Sequence, residues 1–208
     1  MNNLKNRSIR NEQIANMVFA SILAAIILIM TFVPQFGLIQ ILPPPAPVIT
    51  IIHIPVIIGG IVLGRKYGLF LGFIFGIGAL IRSFIDYANY APFTNPLVSV
   101  LPRMFIGFIA SDIHKLFARW LKNDKGSSFV SMGIVTFIHS IIVLPLLFIV
   151  WKTSFFFFRN EFTFGLNQNL FAFIWASFLA NSIFEIALAI LIGGPIIIVL
   201  KVIKNIKR

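Results

Sequence analysis

Seven polar side chains stand inside otherwise apolar runs of this chain: His53, Arg82, Asn95, Arg103, His139, Asn181 and Glu185. A polar group in such surroundings costs free energy unless it is paired or lines a wet cavity. Arg103 follows Pro96 and Pro102, and it either pairs with Glu185 or stays free to receive an anion. Asn181 and Glu185 are one helical turn apart, so both point the same way. His53 precedes Pro55 and is a ligand contact or a satisfied helix cap. His139 is a ligand contact or a packing residue. Arg82 lies near the end of its apolar run, where it binds a ligand or snorkels to the surface. Together these groups form a basic, amide-rich set suited to a small, polar, anionic solute.

Other chemistries lack their residues. There is no cysteine, hence no disulfide or thiolate site. The two histidines sit on separate segments without HExxH or a carboxylate cluster, so no metal site is expected. No GxSxG nucleophile motif and no phosphate-binding P-loop occurs. A membrane-embedded enzyme would need a carboxylate pair or a Ser/His pair. A self-sufficient secondary transporter would show an internal repeat. Neither pattern is visible, and no cofactor is implied.

The elements that must position these residues are membrane spans. The 208-residue chain is 59% hydrophobic and only 11% charged, more apolar surface than a soluble domain of this size can hide. A span needs about 20 apolar residues. The reading is an all-α membrane protein, a single domain over 1–208. Its six spans fall near 14–33, 49–63, 67–85, 96–117, 129–151 and 168–200. Residues 1–13 form a polar N-terminal segment, read as preceding an uncleaved span, and 201–208 a basic tail. Pro34 to Pro47 is a proline-rich loop, Lys122 to Ser128 a polar loop, and Lys152 to Asn167 a second long loop. A kink is expected near Gly193, Gly194 and Pro195.

Thirteen of the seventeen Lys and Arg fall in the N-terminal segment, the Arg65–Lys66 turn, the region 115–125 and the tail. Positive residues stay cytoplasmic, so both termini are expected inside. The net charge of +11 is then a topology signal. No soluble segment combines aromatic and basic residues as nucleic-acid binding requires. In the first span, Ala20 with Ala24 and Ser21 with Ala25 are small residues four apart, a spacing that lets helices approach closely in lipid.

Taken in order, these segments resemble the substrate-binding S component of an energy-coupling factor (ECF) vitamin transporter. Ala20-x-x-x-Ala24 is similar to the family's small-residue docking motif. Thr50-Ile-Ile-His53-Ile-Pro55 through Gly59, then Leu63-Gly64-Arg65-Lys66-Tyr67-Gly68, resembles its second span and turn. Gly72 to Gly76, Asn95-Pro96 to Pro102-Arg103, and Asn181-x-x-x-Glu185 continue the likeness. The family usually has Pro where Arg65 stands, a departure on the cytoplasmic side. The resemblance implies a vitamin bound at the outward end of a multi-pass protein of the bacterial cytoplasmic membrane. It implies docking through Ala20 and Ala24 onto an ECF transmembrane scaffold subunit joined to two ATPase subunits, and toppling of the S component in the membrane. The His-Ile-Pro and Pro-Arg segments resemble most those of the pantothenate members. Pyridoxine-like, folate-like, cobalamin and queuosine-type ligands stay open. Arg103 or Arg82 would fork onto a carboxylate, while Asn95, His139 and Asn181 would bond hydroxyl and amide groups.

Overall fold

The protein is seen here as a computed structural model that describes residues 2–39, 49–87, 91–153 and 181–206. Helix α1 spans Asn2–Phe32. The polar N-terminal residues therefore extend the first span as helix instead of preceding it. Its inward stripe is Ala20, Leu23, Ile27 and Thr31, three or four apart and all buried. Its other face exposes Ile14, Met17, Val18, Ile22 and Ile29, the finish a helix needs against lipid.

A short helix α2 (Pro34–Gly37) leads into strand β1 (Leu38–Ile39). Strand β2 (Ile49–Thr50) runs antiparallel to it, with Leu38 opposite Thr50 and Ile39 opposite Ile49. The proline-rich stretch between them, including Pro43 to Pro45, lies outside the described residues. Helix α3 (His53–Leu63) has only 11 residues, about 16 Å at 1.5 Å per residue. The expected second span is thus a two-residue strand followed by a short helix. Every residue from His53 to Ile61 is buried. A helix enclosed by its neighbours need not cross the hydrocarbon itself. Pro55 sits in its first turn, where a missing N–H costs no helical bond.

Gly64, at φ +99°, turns the chain into α4 (Arg65–Ile85); only glycine adopts that φ readily. A 3-10 turn (Ala91–Thr94) precedes α5 (Pro96–Ser99), and α6 (Leu101–Leu121) follows after a break at Val100. Helix α7 is Asp124–Thr153. It begins five residues before the expected Phe129. The Asn123 carboxamide oxygen accepts from the N–H groups of Lys125 (3.0 Å) and Gly126 (3.2 Å), and Asp124 in the first turn suits the helix dipole. The polar residues expected as a loop are therefore the capped first turn of a helix.

Helix α8 closes the chain over residues 181–206. It contains a π-helical turn at Ala189–Gly193 and a last segment Gly194–Ile206, so the expected irregularity near Gly193 is a π-turn. The early part of the expected sixth span and nearly all of the second long loop lie outside the described residues. Among the described residues, five helices are long and apolar enough to cross a membrane: 10–32, 65–85, 96–121, 124–143 and 181–203. Helix α3 is the shorter apolar one.

Among the described residues the core has two large parts and a small third one, where Val98 of α5 meets Val143 of α7. Ile57, Ile106, Met132, Val135 and Ile197 join α3, α6, α7 and α8. Leu23, Ile27, Val56, Leu71 and Phe75 join α1, α3 and α4. Helices α4 and α6 meet along a glycine ridge, Gly68, Gly72 and Gly76, spaced one turn apart. A side chain on Gly68 or Gly72 would strike the backbone oxygens of Gly107 or Arg103. One on Gly76 would come within 2.6 Å of the Val100 Cα. The ridge lets α4 lie directly on the α6 backbone where Arg103 begins its reach.

Candidate functional site

Arg103 is the centre of the site, and a proline makes its position. Pro102 has no N–H to give to the Val98 carbonyl four residues earlier. That carbonyl instead accepts from the Arg103 guanidinium at 3.1 Å, and the Ser99 carbonyl accepts from the same nitrogen at 2.5 Å. The guanidinium carbon also lies 4.6 Å from the Phe75 ring centroid and 5.3 Å from that of Phe93. Two aromatic faces hold a desolvated cation in place. Arg103 is 6% exposed.

His53, at the start of α3, stacks on His139, in the middle of α7, with ring centroids 5.7 Å apart and planes at 28°. Both are buried. The Arg103 charge acts on both imidazoles and on the Glu185 carboxylate. No ion pair forms directly between Arg103 and Glu185. Glu185 Oε1 instead accepts the Thr50 N–H at 2.8 Å, which ties α8 to strand β2. Asn181 lies one turn earlier on the same face of α8 and is buried too.

Seven buried side-chain polar atoms find no hydrogen-bond partner among the described residues, and they are carried on β2, α3, α6 and α7. They are both ring nitrogens of His53, both of His139, Arg103 Nε, Thr50 Oγ1 and Thr136 Oγ1. Folded proteins satisfy nearly all such groups. A cluster of orphans around a cation is the signature of a site built for a ligand with an anionic group and further hydrogen-bonding groups.

The remaining candidates lie differently. Asn95 is buried, and its side-chain oxygen accepts the Leu97 N–H at 2.9 Å, so that oxygen caps α5. Arg82 donates to the Thr31 carbonyl at 2.5 Å and fastens the end of α4 to the end of α1. On α1, Ala20 turns into the bundle at 3% exposure and Ala24 packs partly against the core. Ser21 and Ala25 are the small pair left facing outward. The Ser21 hydroxyl donates to the Met17 carbonyl at 3.0 Å. Both residues line a shallow groove of about 520 Å³ on the outer face of α1, with Ile14, Met17, Val18 and Ile22.

Sequence reasoning passed over Thr50 and Thr136. A signal was present: Thr-x-x-His occurs twice, at Thr50–His53 and Thr136–His139. In each case the orphaned hydroxyl stands three residues before an orphaned imidazole.

Comparison with known proteins identifies the family. The family model for the "ECF transporter, substrate-specific component" matches residues 15–197. The chain is 29% identical over 198 residues to the "Pantothenate transporter PanT" of Leuconostoc mesenteroides subsp. mesenteroides, covering 89% of this chain and 92% of that protein. It is 25% identical over 193 residues to the "Pantothenic acid transporter PanT" of Lactococcus lactis subsp. cremoris, covering 85% and 90% respectively. The likeness first drawn from the His-Ile-Pro, Pro-Arg and Asn-x-x-x-Glu segments therefore extends along nearly the whole chain. It is the substrate-binding part of a transporter, not an enzyme, and the chain belongs to the family of ECF transporter substrate-specific components.

Proposed function

We propose that this chain binds pantothenate at the Arg103–His53–His139 site and delivers it to an ECF importer. The observation that carries the reading is the cluster of orphaned polar atoms around one buried arginine. Pantothenate has a carboxylate, two hydroxyls and an amide. The carboxylate suits the guanidinium, whose Nε is unused. The imidazoles, each a donor and an acceptor when neutral, suit the hydroxyls and amide. Asn181 adds an amide from α8, and Glu185 holds the β-ribbon over the site. The names of the two bacterial relatives point to the same ligand. The chain sits in the bacterial cytoplasmic membrane with six spans, the short, enclosed α3 counted as the second, and both termini inside, as the placement of the basic residues favours.

The chain carries no ATP-binding motif, so uptake needs partners: a transmembrane scaffold subunit and two ATPase subunits. The outward edge of α1 at Ser21 and Ala25 is the face that admits a scaffold helix closely, with Ala24 beside it and Ala20 supporting it from within. Ser21→Trp or Ala25→Trp should abolish vitamin uptake by cells while the purified variants still bind ligand. Normal uptake by both variants would remove this docking edge.

The test of the ligand is calorimetric titration of the detergent-solubilised chain with a vitamin panel. Tight binding of pantothenate alone is the expected result. Tight binding of a pyridoxine-like, folate, cobalamin or queuosine-type compound would keep the transporter role and replace the substrate.

A further inference from the structure

We infer that Thr136 is a ligand-reading residue of this site: its hydroxyl contacts a hydroxyl of the ligand whose anion lies on Arg103. The inference rests on the ligand reading above and names a contact that reading does not include.

The observation is an exception to a local rule. A Ser or Thr inside a helix normally returns its hydroxyl proton to a carbonyl three or four residues back. Thr31 does so to Ile27 at 2.7 Å, Ser99 to Asn95 at 3.1 Å, and Ser128 to Asp124 at 3.0 Å. Ser131 bonds Ser127 at 2.5 Å, and Ser140 bonds Thr136 itself at 3.4 Å. Thr136 is as buried as any of these, at 0% exposure, yet its hydroxyl makes no such bond and finds no other partner among the described residues. A hydroxyl left unpaired away from water costs free energy, and here the cheap local remedy is not taken.

Its direction follows from the helix. Met132, Thr136, His139 and Val143 are spaced four, three and four residues apart, and all four are buried. They form the inward stripe of α7. Thr136 therefore stands one turn below His139, whose ring is stacked on His53. Helix phase puts its side chain on the same buried face of α7 as the His139 ring. A hydroxyl both donates and accepts, so it reads a neutral polar group and adds no charge opposite Arg103.

The experiment titrates wild type, Thr136→Val, Thr136→Ala and Thr136→Ser with pantothenate and with an analogue lacking its hydroxyls. Thermal unfolding of each ligand-free protein is measured alongside. We expect Thr136→Val and Thr136→Ala to bind pantothenate about 10-fold more weakly, the scale of one neutral hydrogen bond. Thr136→Ser should stay within about threefold of wild type. The analogue should bind wild type and Thr136→Val alike, because the contact is then absent from both sides. Wild-type affinity in Thr136→Val with a raised melting temperature would overturn the inference: the hydroxyl would be a buried group the protein is better without. If Thr136→Val fails to fold, equal pantothenate affinity of Thr136→Ala and wild type overturns it in the same way. Failure of wild type to bind pantothenate is a different result. It removes the ligand reading, and this inference with it.

Discussion

Two buried histidine clusters sit at different levels of this bundle, and they are built on opposite terms. At one, His53 and His139 leave all four ring nitrogens without a well-formed hydrogen bond among the described residues. At the other, His114 is equally buried, and both its nitrogens are engaged. Its Nε2 accepts from the Lys201 ammonium, with Asp124 Oδ1 3.1 Å away. Its Nδ1 faces the hydroxyls of Ser131 (3.3 Å) and Ser127 (3.5 Å). Lys201 completes the network at 2.7 Å from Asp124. Residues from α6, α7 and α8 are thus fastened together at the basic end. A satisfied polar network specifies a packing, whereas an unsatisfied one stores demand for a ligand. Residue type alone does not separate the two histidine clusters; the accounting of donors and acceptors does.

The largest effect expected from breaking this contrast is at Arg103. Arg103→Ala should weaken binding of pantothenate by roughly 2–5 kcal/mol, the cost of losing a desolvated charge partner for a carboxylate. Titration against pantothenate and its alcohol analogue, which lacks the carboxylate, would localise the loss. The variant should treat the two alike. A variant that still prefers the carboxylate would mean that the anion binds elsewhere, and Arg103 would reduce to a brace for the Val98 and Ser99 carbonyls.

Exchanging the histidines sharpens the contrast further. His139→Phe keeps the bulk of the ring in the orphaned cluster. It should lower ligand affinity by about 1–3 kcal/mol while leaving the melting temperature unchanged or higher, since unsatisfied nitrogens are removed. His114→Phe should do the reverse. The Ser131 hydroxyl and the Asp124 and Lys201 pair lose a buried partner, a cost of about 1–3 kcal/mol in stability, with ligand affinity unmoved. Calorimetry and thermal unfolding on the same two proteins decide it. Parallel losses in both would erase the distinction between the clusters.

How much of this could be read in the sequence divides along the same line. Hydropathy located the long helices, because lipid imposes a length that any window of apolar residues reports. The cost of polar groups inside those runs marked His53, Arg103, His139 and Glu185, which the structure brings together. What the sequence hides is relative rotation and pairing. Asn95 carries the same side chain whether it holds a ligand or caps α5. Arg82 reads as a twin of Arg103, and only the structure shows that it fastens α4 to the Thr31 carbonyl of α1. Ala20 and Ser21 are adjacent small residues, and only helix phase against α3 and α4 sends one inward and the other out. The shortness of α3 was masked because Ile49 to Ile52 are as apolar as a helix would be; burial within the bundle lets a β-ribbon stand there.

The smallest effect belongs to Arg65, which marks the limit of the basic-end network. Its guanidinium lies 2.5 Å from Asp112 and 5.4 Å from the centroid of Phe108. The two charged side chains keep 54% and 34% of their surface in contact with solvent. Exposed pairs contribute about 1 kcal/mol or less, and salt screens them. Arg65→Gln should therefore lower stability by less than about 1 kcal/mol, with ligand affinity intact and the difference fading as salt is raised. A larger loss that persists in salt would show that this turn is held as firmly as His114 holds its three helices. The satisfied end of the molecule would then reach from α8 across to the α3–α4 turn, and a structural role for the basic end would replace the view that its charges chiefly set orientation.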